Sequence, residues 1–329
     1  MPEMDTLLGG VLRRIKPGDG ERQRLQEISG RLISLIDRIA ADAGISAHGM
    51  LVGSAARGTW LSGECDLDIF ICFPEQATRA ELEEKGLAIA RAAAADAQES
   101  EERYAEHPYV HAVFDGYDVD LVPCFEVADV ASIKSAVDRS PFHNRYVLEK
   151  IAGIKDEVLL LKQFMKGAGV YGSELKTRGF SGYLAELLVI RYGSFTKVLE
   201  DACGWVPGKI IDIEHHAAAV QSDPLVVVDP TDPGRNVAAA LSLENMCRFI
   251  DRACEFISSP GAEFFFPAPV APMTAPELEA LLAARGTSLL AIAFEPPDVV
   301  EDVLFPQLRK LEQSAKELLE RKEFRVFAS

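Results

Sequence analysis

The sequence contains no apolar run long enough to cross a bilayer. Its longest ones, such as residues 225–228, are far shorter than a transmembrane helix requires. The first residues, MPEMD, are acidic and lack the basic start and apolar core of a signal peptide. The six cysteines include no Cys-x-x-Cys pair, which favours buried thiols over zinc sites or disulfides. These absences predict a cytoplasmic protein that has no membrane partner.

Basic residues are also scarce. The chain has 34 Lys and Arg against 51 Asp and Glu, and its net charge of −17 argues at first against a nucleic-acid partner. The excess is uneven, because residues 130–240 hold 13 residues of each sign. A local basic surface there could hold phosphates, although any single cation more often lies on a solvated helix face. Charge alone therefore leaves the partner open.

Apolar residues make up 48% of the chain, which is typical of a folded protein. A length of 329 residues is sufficient for two or three domains. About the first 130 residues are predicted to form an α/β or α+β unit whose sheet carries acidic side chains. Its pattern predicts a helix over 21–42, a strand over 66–73, an outer helix over 79–97 and a hairpin of strands 110–113 and 117–122. The Asp115-Gly116 pair is a typical hairpin turn.

Helical patterns dominate residues 140–257, with helices that begin near Glu157, Phe180 and Ser242 and a short strand over 226–228. A proline-rich run over 261–272 predicts a linker. In the last segment, 258–329, a capping box predicts a helix that ends at Gly286. A strand over 288–294, a helix over 306–321 and a strand over 324–327 would then form part of an α/β domain.

Two aspartates interrupt the otherwise apolar strand over 66–73. Asp66 and Asp68 are two residues apart, so their side chains share one face of the strand. Asp120 offers a third carboxylate on a neighbouring strand. Three converging carboxylates suit Mg²⁺, which can bridge substrate phosphates and assist an in-line displacement. A single Asp-x-Asp is more often a solvated strand edge, but the third acid favours the metal hypothesis.

A small turn precedes these acids. Gly53-Ser54 follows the apolar residues 50–52 and can open a helix whose free N–H groups face a phosphate. Arg57, one helical turn later, can add a positive charge for the same anion. A Gly-Ser turn followed by Asp-x-Asp resembles the signature of the nucleotidyltransferase superfamily, which says little about the acceptor.

Six further segments are distinctive: RYAEHPYVH at 103–111, VDLVPC at 119–124, SAVDRSPFH at 135–143, GVYGSE at 169–174, GFSGYL at 179–184 and DPTDPGRNVA at 229–238. In sequence and in order they resemble segments of archaeal, class I CCA-adding enzymes, which are tRNA nucleotidyltransferases. The resemblance implies a polymerase-beta-like catalytic head over 1–139, a helical neck that binds nucleotide and RNA over 140–257, and a partial body domain over 258–329. It also implies template-independent addition of C, C and A to tRNA 3′ ends from CTP and ATP.

The family motifs imply roles for individual residues. Asp66, Asp68 and Asp120 would bind Mg²⁺, with Asp120 nearest the attacking 3′-hydroxyl. Arg235 would help to read the base edge together with the RNA. The residues implied to hold ATP or CTP, mostly through triphosphate and ribose, are Ser54, Arg57, His143, Lys162 and Tyr171.

Taken without the family, these residues have simpler explanations. His143 could be a turn residue, Lys162 a surface lysine along a helix, and Tyr171 a residue that closes a loop. His107 and His111 fall in the sheet region and have no role that the sequence supports. The pair His215-His216 lacks partners at metal-ligand spacing and is expected at the surface.

The chain departs from the family pattern at two points, and three alternative functions stay open. Relatives commonly carry Thr where this chain has Ser140, and they usually continue past the equivalent of Ser329 into a tail that grips the tRNA. The alternatives are action on another RNA 3′ end, action on a small molecule, and a non-catalytic RNA-binding relative. The family often forms homodimers, so a dimer is possible.

Overall fold

The computed structural model describes residues 2–64, 66–104, 107–216, 222–297 and 299–327. The first part of the chain alternates helices and strands. Its elements are α1 Pro2–Ile15, α2 Asp19–Asp42, β1 His48–Val52, α3 Gly53–Arg57, β2 Asp66–Pro74, α4 Arg79–Glu81, α5 Leu87–Ala93, β3 Glu99–Tyr104, β4 Pro108–Phe114 and β5 Tyr117–Glu126.

The rest of the described chain is mostly helical. Its elements are α6 Ser140–Lys150, α7 Lys155–Gly167, α8 Gly182–Tyr192, α9 Phe195–Ala202, β6 Lys209–Asp212, β7 Leu225–Val228, α10 Leu243–Ser258, α11 Ala275–Arg285 and α12 Glu301–Arg321. No helix among the described residues is both long enough and apolar enough to span a membrane.

The five strands β1 to β5 form one sheet in the order β1-β2-β5-β4-β3. Only β2 and β5 pair in parallel, and the other neighbours are antiparallel. Along β2 the side chains alternate, so that Leu67, Ile69 and Ile71 are buried in the core that α2 and α5 complete. The aspartates of β2 therefore point to the opposite face of the sheet.

The β4–β5 hairpin forms as predicted. Asp115 and Gly116 have φ values of 52° and 80°, the left-handed pair that a tight hairpin turn requires. The predicted outer helix over 79–97 is interrupted by a π-helical turn at Leu82–Gly86 and ends at Ala93. Strand β3 follows and was not predicted, because its sequence ESEERY is polar and all six residues are exposed.

The helical part packs around Phe164 of α7. Five other phenylalanine rings lie with centroids 5.6–6.2 Å from its own, and they belong to residues 195, 249, 256, 264 and 265. Ser181 and Ser242 cap α8 and α10 through their side chains. Helix α1, which the sequence pattern did not reveal, buries Val11 and Ile15 in this same core. Because Phe264 and Phe265 are buried, the predicted linker is wrong for its first residues.

The last segment differs most from prediction. Helix α11 has the expected capping box and ends at Gly286, whose φ is 63°. The predicted strands over 288–294 and 324–327 are both wrong, since the described residues there form no strand. A strand needs a partner for its backbone groups, and neither segment has one in the described chain. The described residues of 258–329 therefore form helices and no strand, and α12 begins before the predicted start at residue 306.

The cysteines follow the expected chemistry in part. Cys72 and Cys124 are buried with their Sγ atoms 3.6 Å apart, and both are free thiols. Cys203 and Cys254 are half-buried and Cys247 is exposed. Cys65 lies outside the described residues.

Close packing at the end of α7 gives a testable consequence. A Cβ on Gly167 would collide with the backbone carbonyl of Phe264, so Gly167→Ala should lower the free energy of unfolding by about 1–3 kcal/mol. Gly30 lies exposed within α2 with nothing near its Cβ position, so the control Gly30→Ala should raise it by about 0.5–1 kcal/mol. Urea titrations measure both values, and equal effects would contradict this packing.

Candidate active site

Four carboxylates share the open face of the sheet. The parallel register pairs Asp66 with Asp118 and Asp68 with Asp120, and paired residues of adjacent strands point to the same side. Asp118 was not predicted, although Asp118-Val119-Asp120 repeats the alternation of the first pair. The carboxylates line a cavity of about 350 Å³ together with Arg103 and His111.

Gly53 makes room for Asp68. Its φ of 73° lies in the left-handed region, and a Cβ there would collide with the Asp68 carboxylate. Val52, the residue before it, lies opposite Asp68 across the β1–β2 ladder. The turn after β1 is therefore packed directly against the Asp68 carboxylate.

The negative charges of these aspartates destabilise one another, and the pKa values of Asp66 and Asp68 are raised. Burial, followed by the nearby Asp120, raises the pKa of Asp68 to about 6, while Arg57 opposes the shift. Burial and the charges of Glu64, Asp118 and Asp120 raise the pKa of Asp66. Among the described residues no three His, Cys, Asp or Glu side chains already stand as an assembled metal centre. Hard carboxylate oxygens are nevertheless the ligands that a divalent cation such as Mg²⁺ prefers.

His111 completes the cluster from β4. Its Nδ1 lies 2.8 Å from Asp120 Oδ1, and its Nε2 lies 3.4 Å from Asp118 Oδ1. The sequence placed this histidine in the sheet but gave it no role. Its relevance depends on the β4–β5 register, which pairs His111 with Asp120.

Arg57 and Ser54 lie on the five-residue helix α3. Arg57 is buried, and its Nε donates to Glu186 Oε1 at 2.9 Å while its Nη1 donates to Asn144 Oδ1 at 3.5 Å. The sequence did not predict the ion pair with Glu186 of α8, which bonds part of the guanidinium and leaves Arg57 beside the turn. Thr59 donates its hydroxyl to the same Glu186 oxygen. Ser54 is half-buried, and its carbonyl accepts from Thr59 N.

Lys162 and Tyr171 meet beside this ion pair. Lys162 is buried rather than at the surface, its Nζ donates to Thr59 O at 2.8 Å, and burial lowers its pKa. Burial likewise raises the pKa of Tyr171. A Cβ on Gly182 would lie 3.1 Å from Tyr171 Oη and 3.4 Å from Lys162 Nζ. These two residues therefore converge on the start of α8.

His143 and Arg235 meet at a different carboxylate, that of Asp229. His143 Nε2 donates to Asp229 Oδ2 at 2.9 Å, and Arg235 Nη1 donates to the same oxygen at 2.8 Å. The His143 ring stacks on Tyr183 with centroids 4.1 Å apart. Asn144, the next residue of α6, accepts from Arg57. Helix α6 thus connects the two groups of predicted nucleotide-binding residues.

Three families match consecutive parts of the chain. The Nucleotidyltransferase domain matches residues 35–143, the second domain of tRNA nucleotidyltransferase matches 156–266, and the CCA-adding enzyme C-terminal domain matches 285–329. A CCA-adding enzyme from Methanosarcina barkeri is 56% identical over 323 residues, which are 98% of this chain and 71% of that protein. The chain belongs to the CCA-adding enzyme family.

Other CCA-adding enzymes show the same extent of similarity. The enzyme from Methanothermobacter thermautotrophicus is 46% identical over 329 residues, covering 99% of this chain and 72% of its own length. The one from Haloarcula marismortui is 44% identical, with 99% and 70% covered. The predicted family and the α+β nucleotidyltransferase fold are therefore confirmed.

Solved structures of more distant proteins share the fold. A cytoplasmic RNA terminal U-transferase superposes with a TM-score of 0.64 at 15% identity, over 82% of this chain and all of that one. The CdnC protein of E. coli MS115-1 with ATP gives 0.62 at 18% identity, over 80% and 93%. At such identities the likeness concerns the fold alone.

Replacement of Gly53 by alanine should abolish activity. The added methyl group would displace the Asp68 carboxylate and strain a left-handed backbone, so nucleotide addition should fall by at least about a hundredfold. Gly44 has a φ of 65° with nothing near its Cβ position, so Gly44→Ala carries the strain alone and should retain addition. Equal losses in the two variants would show that strain, and not Asp68, matters.

The raised pKa of Asp68 has a consequence for stability without metal. An acid whose pKa is higher in the folded protein stabilises it below its unfolded pKa and loses that stabilisation as pH rises to about 6. The free energy of unfolding of Asp68→Asn, measured relative to that of the wild type, should therefore rise by about 1–2 kcal/mol between pH 4.5 and pH 7.5. Unfolding titrations with a chelator measure this. The hairpin control Asp115→Asn should show no such trend, and an Asp68→Asn difference that does not change with pH would contradict the account.

Proposed function

We propose that this chain restores the CCA end of tRNA, adding C, C and A stepwise from CTP and ATP without a template and releasing pyrophosphate. Membership of the CCA-adding enzyme family supports the reaction. The observation that carries the chemistry is the pairing of Asp66 with Asp118 and Asp68 with Asp120 beside the Gly53 turn.

Asp66, Asp68 and Asp120 are the residues that would hold the divalent cation, for which we propose Mg²⁺. When bound, the cation would neutralise these acids together with the triphosphate and polarise the reacting phosphate. His111 holds one oxygen of Asp120, which leaves the other oxygen for the reaction. Asp120 then lies nearest the RNA 3′-hydroxyl and lowers the cost of its deprotonation. The 3′-oxygen attacks the α-phosphorus, and the bond to the β-phosphate oxygen breaks.

The nucleotide is held from two sides in this proposal. Ser54, Arg57, Lys162 and Tyr171 hold the triphosphate and ribose near the start of α8. The Arg57 Nη2 is the nitrogen left for a phosphate, since Nε and Nη1 bond Glu186 and Asn144. His143 contributes from α6, and Arg235, whose side chain is 36% exposed, reads the base edge together with the RNA.

The domain limits belong to the same proposal: a catalytic head over 1–139, a neck over 140–257 and a partial body over 258–329. Most of the sheet core lies in the first and most of the core around Phe164 in the second, although Val11 and Ile15 of α1 belong to the core around Phe164. A homodimer and a cytoplasmic location likewise remain predictions.

A second cavity, which is mainly basic, is consistent with an RNA partner in this acidic chain. It measures about 550 Å³, lies between the start of α10 and α12, and has one acidic residue, Glu244, in its lining. The cations that line it are Lys176, Arg178, Arg248 and Arg309. Phosphate contacts of this kind position RNA without reading its sequence.

The decisive experiment incubates the protein with Mg²⁺, CTP, ATP and tRNA transcripts that end before CCA, after C or after CC, and sequences the products. We expect completion to CCA in each case and no addition by Asp120→Ala. The control Asp115→Asn removes a carboxylate at the tip of the same hairpin and should keep activity.

Two results would contradict the proposal. Addition to unrelated RNA ends but not to tRNA would favour the alternative substrate. Addition by Asp120→Ala at the wild-type rate would exclude the assigned chemistry.

A further inference from the structure

The most heavily bonded carboxylate of the described chain lies outside the sheet. Asp229 follows the buried strand β7 and has no exposed surface. Its Oδ1 accepts from Thr231 N and Thr231 Oγ1, both at 2.9 Å, and from Tyr183 Oη at 3.2 Å. Its Oδ2 accepts from His143 and Arg235. A buried charge is costly unless such donors surround it.

The two oxygens have different kinds of partner. Those of Oδ1 belong to its own loop and to α8, so they fix the carboxylate in place. Those of Oδ2 are the two residues proposed to touch the nucleotide, and each keeps part of its side chain exposed: 13% for His143 and 36% for Arg235. Asp229 therefore ties two ligand-facing groups from different elements to one oxygen atom.

The electrostatics agree with this arrangement. Burial alone would raise the pKa of Asp229, but hydrogen bonds from His143 and Thr231 outweigh burial and hold it below its ordinary value. A backbone hydrogen bond also joins the two ends of this loop, since Asp229 N donates to Arg235 O at 3.0 Å. The charged carboxylate is thus a rigid reference point for the Arg235 guanidinium.

We propose that Asp229 is a positioning residue that fixes Arg235 relative to His143 and thereby sets which bases the site accepts. The inference rests on the proposed function. Cytosine and adenine both present a bare ring nitrogen beside an exocyclic amino group, whereas uracil and guanine carry an N–H there. A guanidinium has donors only, so a fixed Arg235 pairs with the first two bases and meets a donor on the others. An arginine free to rotate can move away and admits the wrong base.

The test compares kcat/KM for CTP with that for UTP on tRNA lacking CCA. Asp229→Asn keeps a carbonyl for Thr231 but turns an amide N–H₂ toward His143 and Arg235, which are themselves donors. We expect the CTP preference to fall roughly tenfold or more, because a charge-assisted hydrogen bond is lost. The matched control is Asp232→Asn, which breaks a 2.9 Å ion pair with Arg139 in the same loop and should keep the preference.

A second variant, Thr231→Val, tests the inference if Asp229→Asn does not fold. Thr231→Val removes one donor to Oδ1 and loosens the carboxylate, so it should lower the same ratio by a smaller factor. A uniform fall for all nucleotides, or unchanged ratios in the folded variants, would show a purely structural role and overturn the inference. If the wild type adds no nucleotide to tRNA, the proposed function fails and the inference with it. If the wild type is selective and the variants equally so, only the inference fails.

Discussion

Repulsion between carboxylates at neighbouring positions of β2 and β5 is the constraint on which the site depends. The parallel register leaves Asp68 beside Asp120 and Asp66 beside Asp118, and like charges this close destabilise a sheet unless a cation lies between them. The surrounding residues hold the acids in spite of this cost. Gly53 gives Asp68 space that no other residue type would leave, and His111 contacts both acids of β5. A cation would relieve this repulsion, which is why we propose that the site binds a metal–triphosphate complex.

A buried carboxylate on α8 joins the sheet to the helical part of the chain. Glu186 is fully buried and accepts hydrogen bonds from Arg57 and Thr59, which lie on the sheet side. Lys162 of α7 donates to Thr59 O. Removal of either charge from such a buried pair costs several kcal/mol, roughly 3–5. The orientation of the acids relative to the proposed nucleotide-binding residues therefore depends on Glu186. Asp229 bonds His143 and Arg235 in the same way, so each group of proposed nucleotide-binding residues contacts one buried acid.

Local patterns carried most of what the sequence could predict. Asp66, Asp68 and the Gly53 turn lie within one short stretch, and alternation together with turn chemistry is sufficient to place them. No role was predicted for Asp118, His111 and Asp229, because their positions in the site depend on strand register and on contacts between elements far apart in sequence. The ion pair of Arg57 with Glu186 was not predicted for the same reason, since Glu186 is 129 residues away. The strands over 288–294 and 324–327 were wrong because apolar patterning cannot report whether a partner strand exists. Strand β3 shows the converse: an edge strand with six exposed residues has no apolar pattern to detect.

The central claim, that the acidic face of the sheet is the metal site, is tested most directly by anomalous X-ray diffraction from crystals grown with Mn²⁺ and a non-hydrolysable CTP analogue. The account predicts anomalous density in contact with Asp66, Asp68 and Asp120, with the triphosphate between these acids and the start of α8. Manganese bound elsewhere, with this cavity holding neither metal nor triphosphate, would contradict it.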